Sequence, residues 1–206
     1  MAYIERYAVE DDALAAAREQ GRHWDVRPVS PTTGAALRFL ATVIGARAVV
    51  EIGTGCGSSG LWLLRGMRPD SVLTTVDVDP ASQQFARGAY RRAGFAANRT
   101  RLIHGRALEV LPRLRDAAYD MVFLDSDRAE YPAYLAEALR VLRPGGIVVY
   151  HGALDTDGVR DGPLEAAADP AGAAVRELGR LVHEDETLVP LLLPVGAGLL
   201  AAVSTA

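Results

Sequence analysis

Apolar residues follow two alternating rhythms along this chain. Short segments at 48–52, 72–78, 100–104, 119–124 and 147–150, rich in β-branched, aromatic and other apolar residues, read as strands. Between them, at 58–65, 80–93, 107–114 and 131–142, apolar positions recur every three to four residues, the spacing of a helix with one buried face. Capping residues sharpen the boundaries. Ser30 before Pro31 supplies an N-cap and a proline at the first helical position, and Leu37, Leu40, Val43 and Ile44 give that helix its apolar face. Asp79 before Pro80 repeats the device, and Pro144-Gly145-Gly146 closes the helix over 131–142. An earlier helix over 11–20 stops at Gly21. After a polar stretch, 152–169, come a helix near 171–182 and two strands joined by Val195-Gly196-Ala197-Gly198, a turn short enough for an antiparallel hairpin.

Strands alternating with helices predict an α/β protein: a Rossmann-like, doubly wound sheet, mostly parallel, with a C-terminal antiparallel hairpin and ligands at the carboxyl ends of the strands. Residues 1–26 read as an N-terminal helical arm and 27–206 as one domain, without internal repeat or linker. The apolar stretch 188–203 is broken by Pro190, Pro194, Gly196 and Gly198 and is too short for a membrane span.

Composition removes several chemistries. The chain contains no lysine, so all 22 of its strongly basic residues are arginine. Schiff-base chemistry and a phosphate-loop lysine are excluded. A net charge of −4 argues against bulk nucleic-acid binding, and Cys56 as the only cysteine suits a reducing cytoplasm. No secretory signal is expected from the N-terminal residues.

The strongest chemical signal is Val49-Val50-Glu51-Ile52-Gly53-Thr54-Gly55-Cys56-Gly57. Alternate glycines let the backbone turn where a strand hands over to a helix, and they clear space for a cofactor in front of the helix N-terminus. Asp77, near the end of the next strand, is placed to accept from ribose hydroxyls. A dinucleotide loop, a methyltransferase-type loop and a purely structural turn share this plan. Ser58 stands where the dinucleotide pattern has its last glycine, and Glu51 lies two residues before the first. That carboxylate would repel a pyrophosphate and favour a cationic cofactor such as S-adenosylmethionine.

With Val29-Ser30-Pro31, Glu51-Ile52-Gly53-Thr54-Gly55 and Ser59, Val76-Asp77 with Asp79-Pro80, Phe123-Leu124-Asp125 followed by Tyr131, and Pro194-Val195-Gly196, the chain resembles class I S-adenosylmethionine-dependent methyltransferases, and more closely the catechol and caffeoyl-coenzyme A type O-methyltransferases. The resemblance implies that Glu51, Gly53, Thr54 and Ser59 hold the methionine part, with the Val29 backbone at its carboxylate. It assigns Asp77 to the ribose, Gly105, Arg106 and the Ala107 N–H to the adenine, and Asp125 to the amino group. A small hydroxylated, aromatic acceptor and a homodimer are implied as well. The N-terminal arm around residues 7–24, the loop 127–131 and the segment after His151 would set the choice of acceptor.

Two departures stand out. Metal-dependent relatives hold Mg²⁺ with the acid after strand four and an Asp-Asn pair after strand five; here that pair is His151-Gly152. The family's catalytic lysine, three residues after Asp125, is Arg128, which cannot release its proton and so can orient or stabilise charge only. Three arrangements fit these residues: His151 as general base without a metal, a rebuilt cation site drawn from Asp125, Asp127, His151, Asp155, Asp157 or Asp161, or no proton-transfer group at all. His23, His104 and His183 have no comparable setting. A tRNA-modifying enzyme using Arg87, Arg91, Arg92, Arg99 and Arg101, and a non-catalytic S-adenosylmethionine-binding protein, are the competing classes.

Overall fold

The structure is a computed structural model that describes residues 2–154 and 170–206. Helices α1 (Ala2–Tyr7), α2 (Asp12–His23) and α3 (Pro31–Val43) precede the sheet. The chain then alternates β1 (Ala48–Ile52), α4 (Ser58–Gly66), β2 (Val72–Asp77), α5 (Pro80–Arg92), β3 (Thr100–His104), α6 (Ala107–Val110), β4 (Tyr119–Leu124), α7 (Tyr131–Val141) and β5 (Leu142–His151), and ends with α8 (Pro170–Glu184), β6 (Leu188–Leu193) and β7 (Leu199–Ser204).

One seven-stranded sheet runs β3-β2-β1-β4-β5-β7-β6. Strands β1 to β5 are parallel, while β7 is antiparallel to β5 and to β6. The expected doubly wound sheet and terminal hairpin are both present. Strand order reverses between β1 and β4, so the crevice over their carboxyl ends is where such a sheet binds ligands.

Successive strand residues face opposite ways, which gives the sheet two cores. Val50, Ile52, Val122, Leu124, Val148 and Tyr150 pack beneath α7 and α8. Val49, Leu73, Met121, Phe123, Ile147 and Val149 pack on the other face, with Leu14 of α2, Leu37 of α3 and Leu61 of α4. Glu51 belongs by parity to that second face, beneath the start of α4.

Most elements fall within one or two residues of the sequence pattern, and the larger differences have local causes. Helix α1 was not expected. Helix α2 continues through Gly21 to His23, because Gly21 is packed in the last turn: a Cβ there would lie 3.0 Å from the Val26 carbonyl oxygen. The helix expected over 107–114 is one α-turn followed by a 3-10 turn, Leu111–Arg113, where Pro112 has no N–H to continue the ladder. Helix α7 ends at Val141, and β5 begins at Leu142, which pairs with Tyr119 before a register shift carries the strand past Pro144-Gly145-Gly146. Side-chain caps from Ser30 and Asp79 stand as the pattern predicts.

Candidate active site

Where β1 ends, Gly53 donates its N–H to Val76 O at 2.9 Å, and Asp125 donates to Ile52 O at 2.8 Å, so the ends of β2, β1 and β4 are laced together. Gly53 has φ +96°, and a Cβ on it would fall 2.0 Å from the Asp125 carbonyl oxygen. No other residue fits there. Gly57, with φ +89°, likewise lets α4 start against Ala86 of α5.

Glu51 is wholly buried below this turn. Ser59 Oγ donates to its Oε1 and Thr75 Oγ1 to its Oε2, each at 2.6 Å. With the Thr75 proton so used, Thr54 must donate to Thr75 at 2.7 Å and accept from Gln83 Nε2 at 3.3 Å, a one-way relay from α5 to the carboxyl group. Burial, reinforced by the charges of Asp125 and Asp77, pushes the Glu51 carboxyl up to about 8 despite these two donors. A positive charge above the loop would reverse that shift.

The crevice has two limbs. One, of about 270 Å³, runs from α2 and Val29 over Gly53, Thr54 and Ser59 to Asp125. The other, of about 210 Å³, runs to Gly105, Arg106 and Ala107 and is closed by Glu130 and Tyr134. They meet at Gly53, Asp77, Val78, Ser126 and Asp127. Thus Val29, Gly53, Thr54, Ser59, Asp77 and Asp125 are brought to the first limb and Gly105, Arg106 and Ala107 to the second, whereas Glu51 lines neither. Asp77 braces the junction: its Oδ2 accepts from Gly55 N at 2.8 Å and its Oδ1 from Asp79 N at 2.9 Å. Each oxygen keeps a lone pair for the crevice. Cys56 is buried in the wall of the first limb, where burial pushes its thiol up and keeps it unreactive.

A third cavity, of about 220 Å³, opens beside the first limb and shares Arg27, Asp125 and Ser126 with it. Leu124 pairs with Tyr150 in the sheet, so Asp125 and His151 leave adjacent strands side by side. His151 Nδ1 lies 2.7 Å from Asp125 Oδ1. The Tyr131 hydroxyl bridges the two strand ends, its single proton shared between the Leu124 and His151 carbonyl oxygens, each 3.1 Å away. Arg128 lies over Gly152, with Nη1 3.4 Å from its carbonyl oxygen. All three residues expected to act on the acceptor, His151, Asp125 and Arg128, therefore line one cavity next to the crevice.

The sequence profile of the O-methyltransferase family matches residues 5–204. The chain belongs to the O-methyltransferase family. A Mycolicibacterium smegmatis protein named as an O-methyltransferase is 51% identical over 201 residues, covering 98% of this chain and 94% of its own. The O-methyltransferase TomG of Streptomyces achromogenes, involved in tomaymycin synthesis and solved with S-adenosylmethionine, is 31% identical with a TM-score of 0.87, over 96% of this chain and 92% of that one. The O-methyltransferase of Bacillus cereus, solved with S-adenosylhomocysteine, is 26% identical with a TM-score of 0.81, over 95% and 92%.

In this O-methyltransferase the crevice suits the family's cofactor. The Ser58 Oγ, buried in the wall of the first limb, has no hydrogen-bond partner among the described residues, and Asp77 stands where the two limbs meet, with the Glu51 carboxyl buried below, acids that suit a cationic ligand. Among the described residues no three His, Cys, Asp or Glu side chains cluster as metal ligands. Asp127 caps its own turn, accepting from Ala129 N at 3.0 Å. Asp155, Asp157 and Asp161 lie outside the described residues. No described helix is long and apolar enough to cross a membrane. Ser58, Arg27, Glu130 and Tyr134 were not expected in these walls. Only the position of Glu130 inside the loop after Asp125 hinted at its place.

Proposed function

We propose that this O-methyltransferase transfers the methyl group of S-adenosylmethionine to the hydroxyl of a small, aromatic metabolite, with His151 as general base and no metal. The observation that carries the proposal is the His151–Asp125 bond at the point where the third cavity joins the crevice. When bound, the cofactor supplies a methyl group on positive sulfur, an electrophile that needs no further activation. Val29, Gly53, Thr54, Ser58 and Ser59 would hold its amino-acid part, with Glu51 acting from below, Asp77 the ribose, and Gly105, Arg106 and Ala107 the base.

The chain must then position an oxygen and take its proton. Asp125 accepts from Nδ1–H, which fixes the imidazole tautomer and makes Nε2 the reacting nitrogen. Asp125 also favours the imidazolium that forms. A phenolic hydroxyl, with a pKa of about 10, is acidic enough for an imidazole to deprotonate as the carbon–oxygen bond forms, which is the argument for an aromatic acceptor over an aliphatic alcohol. Arg128, permanently charged, would steady the developing oxyanion.

The nucleic-acid class finds little support. Arg91 and Arg92 close α5, Arg99 ends the 3-10 turn before β3 and Arg101 is the second residue of β3, at the end of the sheet away from the crevice. Arg99 is committed to Ser71, donating to its carbonyl oxygen at 2.7 Å and to its hydroxyl at 2.8 Å. Exposed Phe39 and Val43, one turn apart on α3, support a homodimer, and the single cysteine supports a cytoplasmic setting. The test is methyl transfer from labelled S-adenosylmethionine to a panel of catechols and phenols, in EDTA and with added Mg²⁺ or Zn²⁺. Turnover that survives EDTA and collapses in His151→Ala is expected; strict metal dependence would sink the metal-free mechanism.

A further inference from the structure

The second limb of the crevice ends on a side chain that no step above uses. Glu130 leaves the 3-10 turn Arg128–Glu130, and its carboxylate is held from two sides. Arg106 Nη2 donates to Oε1 at 2.9 Å, and the Tyr134 hydroxyl donates to Oε2. Burial pushes the Tyr134 hydroxyl up, so it stays protonated and serves as a donor. Two donors from different elements thus fix a carboxylate at the rim of a cavity whose wall combines apolar Ile52, Val76, Val78 and Ala107 with polar Asp77, Ser126 and Asp127. Each carboxylate oxygen still has a lone pair, and an ionised carboxylate can only accept.

Resting on the assignment of this limb to the adenine, we propose that Glu130 is a specificity residue that reads the exocyclic 6-amino group. Adenine presents a ring-nitrogen acceptor beside an amino donor. The Ala107 N–H and the Glu130 carboxylate are the complementary pair, a donor beside an acceptor. A 6-oxo purine reverses both polarities: its oxygen faces the carboxylate and its ring N–H faces the amide. Arg106 and Tyr134 act through Glu130 as positioning residues. Neither needs to touch the base.

The test is calorimetric binding of S-adenosylhomocysteine and of S-inosylhomocysteine, in which an oxo group replaces the amine, to wild type and to Glu130→Gln. A polar group mispaired against the base edge costs enough that wild type should prefer the adenosyl compound by on the order of tenfold. Glutamine can donate as well as accept, so the ratio should shrink several-fold in Glu130→Gln while thermal unfolding is unchanged. If Glu130 served only as a partner for Arg106, both affinities would fall together and the ratio would hold, which overturns the proposal. Equal affinities in wild type overturn it too while leaving the methyltransferase assignment intact. Failure of wild type to bind S-adenosylhomocysteine at all would overturn both.

Discussion

Between β1, β2 and β4 the crevice rests on backbone: positive-φ glycines, N–H groups laced from strand end to strand end, and a buried carboxyl group gripped by two hydroxyls. Between β4 and β5 the neighbouring cavity rests on side chains, with one imidazole–carboxylate bond at its centre and Tyr131 tying the strands behind it. The first region belongs to the core and cannot change without disturbing the sheet. The second is added to the ends of the same strands, and its chemistry can change one residue at a time. Binding of the cofactor and deprotonation of the acceptor should therefore separate under mutation.

The largest effect is expected on the backbone side. Gly53→Ala would drive a methyl group into the Asp125 carbonyl and force a left-handed φ on a residue that resists it. A clash with backbone leaves no rotamer to escape into, so stability should fall by roughly 3 kcal/mol or more, read from the denaturant midpoint. Because that carbonyl heads the Asp125–His151 pair, both regions should fail together. A variant that stays folded and binds S-adenosylhomocysteine normally would show that the loop is far more compliant than its packing implies.

Next in size, His151→Ala should lower kcat by about 10²- to 10⁴-fold, the usual worth of a positioned general base, and leave S-adenosylhomocysteine affinity and unfolding temperature unchanged. Parallel loss of binding would mean that the two regions are not separable after all.

This division also explains what could be read from the chain. Strands β1, β3 and β4 have the boundaries the sequence pattern predicts, and the Ser30 and Asp79 caps and the glycine turn were visible because each is a local device. Helix α1, at six residues, is too short to establish a period. The start of β5 was hidden because Leu142 becomes a strand residue only by pairing with Tyr119. Glu51 was recognisable as an acid just before the glycine loop, yet one of the two hydroxyls that grip it comes from Thr75, a residue of the neighbouring strand. Asp125 and His151 could each be named, but the bond between them spans 26 positions and exists only once β5 lies beside β4.

A third, smaller effect concerns pH. Glu51 is raised from 4.5 to about 8 by burial, so between those values the folded protein holds a proton that the unfolded chain has released. Stability of the cofactor-free protein from this group is fully present below pH 4.5, declines as pH rises towards 8, and levels off beyond. Glu51→Gln removes the titration. Denaturation at pH 5 should differ little between variant and wild type, while at pH 8.5 the variant should be the more stable by on the order of 2 kcal/mol. A cationic cofactor should draw the proton off Glu51, so calorimetry in buffers of different ionisation enthalpy should detect proton release in wild type and none in the variant. An unchanged pH slope in Glu51→Gln would place the titration elsewhere.

The smallest effect carries opposite signs in the two states. Ser58 Oγ is buried in the first limb with no partner among the described residues, and an unmet buried hydroxyl is a cost to the cofactor-free protein. Ser58→Ala removes that cost and should raise stability by about 1 kcal/mol without cofactor. Affinity for S-adenosylhomocysteine should fall several-fold at the same time, because the hydroxyl gains its partner only from the bound molecule. A hydroxyl that merely capped α4 would give the reverse pattern, with lost stability and unchanged binding. The two signs together decide whether the backbone side holds its cofactor with loop geometry alone or with a side chain left unsatisfied for that purpose.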